Sequence, residues 1–167
     1  GERLKKLNRK PASPGPDKNK IYDAGVITPE NTPEEINAKP GTVTTLRGVL
    51  GSSLGYINKI SNGAILGVAA DLLGSTSVNL LGAGFHDGFF DSVDNPDSRI
   101  LAVGGICEDA IGGMMAGLSA YGKHIGVSSS YGAFISAMEH TAARLHGIGE
   151  QNRVTHFGGS FNTWILI

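Results

Sequence analysis

Glu108 is the residue best placed to do chemistry, because it stands between an apolar strand-like run and a helical pattern. Upstream, ILAVGGI at 100–106 is short and apolar, as in a parallel strand covered on both faces. Downstream, DAIGGMMAGLSAYG carries apolar residues at helical spacing and ends at Gly122. Open α/β sheets bind ligands at the carboxyl ends of their strands. A carboxyl there, flanked by Ile106, Cys107 and Ile111, is expected to be partly desolvated, a setting that suits proton exchange with a ligand. An ordinary alternative stands beside this one: acids are common in first helical turns because the macrodipole favours them.

Other reactive types carry weaker signals. Cys107 reads as a small buried hydrophobe rather than a nucleophile, since no nearby His pattern would activate it. His86 and Asp87 lie in GAGFHDGFFDSVDNPDSR, where the spacing lacks a third metal ligand and Asp, Asn and Gly serve as turn formers. SSSYGAF at 128–134 lacks the Gly-x-Ser-x-Gly turn of a serine nucleophile.

The elements that position Glu108 follow from periodicity. Thr42–Lys59 places Val43, Leu46, Val49, Leu50, Leu54 and Ile57 near one helical stripe despite three glycines. Ala64–Ala70 reads as the first strand, Ser75–Leu81 as a short helix or turn, and Ile100–Ile106 as the second strand. Asp109–Tyr121 reads as the second helix, His124–Ser128 as the third strand and Gly132–His146 as the third helix. This β-α-β-α-β order predicts an α/β three-layer sandwich with a mostly parallel sheet and right-handed crossovers. Gly113 and Gly117, four apart on the second helix, permit close backbone approach by either its own sheet or another helix. TWILI at the end reads as the beginning of a buried strand, so the chain is expected to be truncated at its C-terminus.

Three segments, taken together, resemble the pyrimidine-binding domain of the transketolase family of thiamine diphosphate enzymes. They are AILGVAADLLGSTSVN, GICEDAIGGMMAGLSAYG and HIGVSSSYGAF, in the family's order and covering roughly residues 42–148. Similar glutamate motifs occur in deoxyxylulose phosphate synthase and in the β subunits of ketoacid dehydrogenases. The resemblance implies that Glu108 is the catalytic glutamate that hydrogen-bonds N1′ of the cofactor's aminopyrimidine and drives its amino-to-imino shift. It implies that Tyr131, where the family usually has Phe, stacks on the pyrimidine, and that Phe134 lines the same pocket. Asp71 and Leu72 match the family's Ala-Asp-Leu segment, in which the Asp contacts the other half of the site and its neighbour holds the cofactor bent. Ser75 and Arg47 match positions that hold a sugar phosphate, although Arg47 reads equally well as a solvated charge on an early helix.

The match has gaps. Glu108-Asp109-Ala110-Ile111 stands where relatives often have Glu-x-Asn-Met, and neither the Gly-Asp-Gly motif that ligates magnesium nor the later substrate histidines occur. The implied cofactor is thiamine diphosphate, with its magnesium held by a diphosphate-binding domain or subunit. The implied partners are that domain, a second copy of the chain in a homo-oligomer, and sugar phosphate substrates. The expected activity is transfer of a two-carbon ketol unit between sugar phosphates. The alternative is a noncatalytic dimerisation or regulatory domain of the same fold, or a fragment inactive alone.

Composition narrows the classes further. The chain has 167 residues, 40% of them hydrophobic, which suits one domain and a tail. Residues 1–41 are rich in proline and charge and read as a linker or arm, leaving 42–167 as the domain. A net charge of −1 argues against nucleic acid and anionic membranes as partners. No run has the length of a membrane span, and the lone cysteine suits a reducing compartment, so cytoplasm is expected. A small nucleotide-binding domain is disfavoured because DLLGSTSVN is no glycine-rich phosphate loop.

Overall fold

The computed structural model describes residues 15–23, 27–154 and 163–167. Much of the predicted arm, 1–14 and 24–26, and the segment 155–162 lie outside the described residues. The chain forms α1 (Asn19–Tyr22), α2 (Leu46–Ile60), β1 (Ile65–Ala69), α3 (Glu108–Tyr121), β2 (Ile125–Ser129), α4 (Glu139–Val154) and β3 (Trp164–Leu166). Two 3-10 turns, Val78–Gly82 and Ile135–Met138, connect them. The three strands pair in parallel in the order β1-β2-β3, with Ala69 beside Ser129 and Ser128 beside Leu166.

Side chains alternate across this sheet as the pleat requires. Ile65, Ile125 and Val127 join Leu54, Val78, Leu81 and Ile100 in one core cluster beneath α2, while Val68 and Ala70 join Ile111, Met115 and Met138 in a second beneath α3. Helices therefore cover both faces, and the architecture is α/β with a parallel sheet, as the alternating pattern implies. The terminal segment TWILI does form a strand, β3, whose Trp164 Nε1 donates to Ser128 Oγ at 3.0 Å. Its Ile165 and Ile167 pack on the α2-side cluster together with Ile21 of α1. Tyr22 and Thr163 hydroxyls meet at 3.1 Å, so α1 lies against the start of β3.

The expected strand at 100–106 is corrected. Ile100 alone bridges to Gly67, through Gly67 N–H to Arg99 O at 2.9 Å and Leu101 N–H to Gly67 O at 2.8 Å. No ladder follows that bridge among the described residues, and further on Gly104 (φ +72°) and Gly105 (φ +140°) adopt backbone conformations outside the β region, so the run does not resume as a strand. Apolar composition could not reveal that departure.

The predicted stripe on α2 holds at Leu54, which is buried, and at Ile57, which packs against the core cluster, and is corrected elsewhere. Leu46 is 91% exposed and Val43 fully so, whereas the buried face is Gly51, Leu54, Gly55 and Asn58. Those four recur at helical spacing, but two are glycines that a hydrophobicity pattern passes over. A Cβ on Gly51 would lie 2.5 Å from Ser77 O, and one on Gly55 2.5 Å from Leu80 O. The glycines thus let the 77–81 backbone rest directly on the helix. Asn58 locks the contact, donating Nδ2 to Leu81 O and accepting Ile65 N–H at Oδ1, each at 2.8 Å.

The second helix begins at Glu108, within a residue of expectation, and stops where Gly122 takes the left-handed conformation at φ +87°. The single helix expected over 132–146 is instead a turn, a 3-10 segment and then α4.

Candidate functional site

Glu108 opens α3, and its side chain turns inward: it is 7% exposed. Ser130, the residue after β2, is also buried and donates its hydroxyl to Glu108 Oε1 at 2.8 Å. The Ser130 N–H is itself tied to Ile167 O at 3.0 Å, and Ile167 N–H donates to Ser128 O at 2.9 Å, so β3 anchors the donor. Among the described residues no hydrogen bond reaches Glu108 Oε2. Among the described residues the carboxyl is held by one oxygen, Oε1.

Asp109 separates the two readings of an acid at this helix start. It is exposed, lies 3.6 Å from His140 Nδ1, and serves the helix terminus from the surface. Glu108 gives up most of its hydration instead, a cost that a surface acid does not bear.

Asp71 and Leu72 leave the sheet from the end of β1, the strand beside β2. Ala70 N–H donates to Ser129 O at 3.0 Å, which keeps the two strand ends together where the chain turns out towards Asp71 and towards Ser130. Asp71 is exposed and holds φ +66°, a left-handed conformation that Asp adopts more readily than most residues. It lines a cavity of about 300 Å³ with Leu73, Phe89, Leu101, Val103 and the Gly104–Gly105 pair. That lining does not include Glu108, Tyr131 or Phe134. Leu72 is half-buried, and its carbonyl accepts from Thr76 N–H and Oγ1, closing the turn that carries Ser75.

Tyr131 and Phe134 follow Ser130 and are joined by Phe134 N–H donating to Tyr131 O at 2.8 Å. Both are exposed, at 42% and 52%, and Phe134 stands in a turn rather than on the helix expected from Gly132. Ser75 and Arg47 are exposed, Arg47 in the first turn of α2. Among the described residues no hydrogen bond or ion pair links either of them to Glu108 or Asp71. The structure therefore gathers Glu108, Ser130, Tyr131 and Phe134 around the end of β2, with Asp71 and Leu72 at the neighbouring strand end.

Ser130 is the residue that sequence reading missed. The alternation in IGVSSS was the available signal, since it puts Gly126, Ser128 and Ser130 on the face that meets α3. Cys107 is half-buried, with Sγ 3.3 Å from Gly105 O and 3.6 Å from Val103 O. Among the described residues no three His, Cys, Asp or Glu side chains are grouped to hold a metal ion, and no helix is long and apolar enough to cross a membrane.

At the entry to β2, burial pushes the half-buried His124 imidazole below its usual range; the Ala64 carbonyl opposes this, while the charges of Arg99 and Lys123 add to it. Arg99 sits 4.6 Å from the Phe85 ring centroid, and burial lowers its guanidinium from the usual value. The sequence matches no protein-family model, and no curated protein is significantly similar to it.

Proposed function

We propose that this chain supplies the aminopyrimidine half of a thiamine diphosphate site of the transketolase type, working in transfer of a two-carbon ketol unit between sugar phosphates. The observation that carries the reading is Glu108, a buried carboxyl at the strand-end edge of a parallel sheet with Oε2 free of hydrogen bonds among the described residues. A ring nitrogen that must gain and lose a proton needs such a partner, shielded from water on one side and approachable on the other.

The residues fit the group in kind. Glu108 offers the acceptor, Tyr131 and Phe134 are exposed aromatics in the segment after its partner Ser130, and Asp71 lies at the adjacent strand end. When bound, the cofactor supplies the carbanion chemistry that the ketol transfer requires. Glu108 holds or releases the proton at Oε2, and the two rings keep water from one face of the heterocycle. Ser75 and Arg47 are the proposed anchors for a sugar phosphate. Magnesium and the diphosphate fall to a partner domain or chain, and cytoplasm is the proposed location.

Calorimetric titration of thiamine diphosphate and magnesium tests this, into the chain alone and into its mixture with a diphosphate-binding domain. Binding in the mixture that is lost in Glu108→Gln supports the reading. No heat in any mixture overturns it.

A second reading, a noncatalytic dimerisation domain of the same fold, draws on a different observation. Gly113, Met114, Gly117 and Tyr121 are exposed on α3, with Ile106 just before it. A concentration-dependent mass that is indifferent to Glu108→Gln, in a chain that binds no cofactor, would favour it.

A further inference from the structure

We propose that Ser130 is the positioning residue of this site, fixing the Glu108 carboxyl through Oε1 so that Oε2 is the oxygen presented to a ligand's ring nitrogen. The inference rests on the thiamine diphosphate reading but concerns a residue that the resemblance does not assign. A glutamate carboxyl is held in place by little beyond its packing, because its last torsion is broad and roughly two-fold. Without a fixed partner, the two oxygens of Glu108 exchange roles. A hydroxyl 2.8 Å from Oε1 removes that freedom, and a donor to a carboxylate makes a stronger bond than a neutral pair does.

The donor is well supported. Ser130 is 6% exposed, its N–H is bound to Ile167 O, and it directly follows a strand in which every residue is buried. Two residues earlier, the Ser128 hydroxyl donates to Ile111 O at 3.1 Å, on the same helix that Glu108 opens. Two serine hydroxyls from the β2 side therefore donate across the seam to α3, one to the helix backbone and one to its acid, beside Ser119 Oγ of the helix, which accepts Gly126 N–H at 2.8 Å. The first bond sets the distance between the elements; the second sets the orientation of the carboxyl. Side chains that orient a functional group in this way matter to affinity without touching the ligand.

Three substitutions separate the hydroxyl from its volume. Ser130→Thr keeps the donor and adds a methyl group, Ser130→Cys keeps the size and offers only a weak donor, and Ser130→Ala removes the donor. Each is titrated with thiamine diphosphate and magnesium under the conditions in which the unsubstituted chain binds, and each is checked for its thermal midpoint. The expected result is affinity about tenfold weaker in Ser130→Ala and Ser130→Cys, recovered to within about threefold in Ser130→Thr. Equal affinity in all variants, or loss in Ser130→Thr equal to that in Ser130→Ala, overturns the positioning role while leaving the cofactor reading intact. Absence of binding by the unsubstituted chain in every mixture overturns the cofactor reading and this inference with it.

Discussion

Ser130 Oγ donates to Glu108 Oε1 across 2.8 Å, joining residues 22 apart in sequence where neither is more than 7% exposed. The bond ties the end of β2 to the first residue of α3, and it turns an acid at a helix start into a buried, oriented carboxyl. The stability and the chemistry of this seam can be separated by substitution.

Glu108→Gln keeps the side chain's volume and an oxygen able to accept from Ser130. Folding stability is expected to change by about 1 kcal/mol or less, because the hydrogen bond survives in neutral form. Urea denaturation checks this. Glu108→Ala, by contrast, strands the Ser130 hydroxyl in a buried place and is expected to cost about 1–3 kcal/mol.

Asn58→Ala removes an amide that serves Leu81 O and Ile65 N–H at once. Both backbone groups are then left buried without partners, and the loss is expected to be about 2–4 kcal/mol. A thermal midpoint lowered by several degrees is the corresponding readout, and an unchanged midpoint would show that water replaces the amide.

Glycines on two helices are expected to respond with opposite sign. Gly51→Ala and Gly55→Ala drive a methyl group to 2.5 Å from the carbonyl oxygens of Ser77 and Leu80, costing about 1–3 kcal/mol despite the better helix propensity. Gly113→Ala and Gly117→Ala meet nothing within 4 Å and should gain up to about 1 kcal/mol. If α3 instead packs against a second copy, these two substitutions weaken self-association while raising the stability of the single chain. Denaturation at low concentration and light scattering at high concentration read the two effects apart.

The pH dependence follows from His124, whose imidazole is held below its usual value of 6.5, chiefly by burial. On acidification the unfolded chain takes up the proton first, so it binds more protons than the folded state in the window below that value. Stability is then greatest above pH 6.5 and falls as the pH drops through it, until the folded imidazole also protonates. Comparing His124→Gln with the unsubstituted chain between pH 8 and pH 5 isolates this contribution from the other histidines. The variant should lose part of the decline, and parallel curves would show that the His124 imidazole takes up its proton alike in the folded and unfolded chain.

Much of the scaffold was legible along the chain because it is written in local periodicity. The α3 span, its stop at Gly122, the buried strand that begins at HIGVS and the parallel alternation all follow from spacing and from glycine's access to left-handed backbone. Glu108 was legible as a candidate for the same reason, as an acid at a strand-to-helix junction. Where the reading failed, backbone geometry overrode composition. ILAVGGI is apolar enough for a strand, yet it makes one bridge to β1, at Ile100, and two glycines at positive φ further on keep it from resuming.

The sequence by itself determined the strand at 64–70, the α3 to β2 succession, the parallel pattern and the place of the acid, because hydrophobic spacing and turn chemistry act between near neighbours. Tertiary structure alone decided that Gly51 and Gly55 complete the buried face of α2, since they are chosen by the shape of the 77–81 backbone rather than by their own hydrophobicity. It also decided that Glu108 points inward to Ser130 while Asp109 points outward to His140. Two acids adjacent in sequence take opposite roles because a helix turns successive side chains about 100° apart, and only one of those directions meets the end of β2.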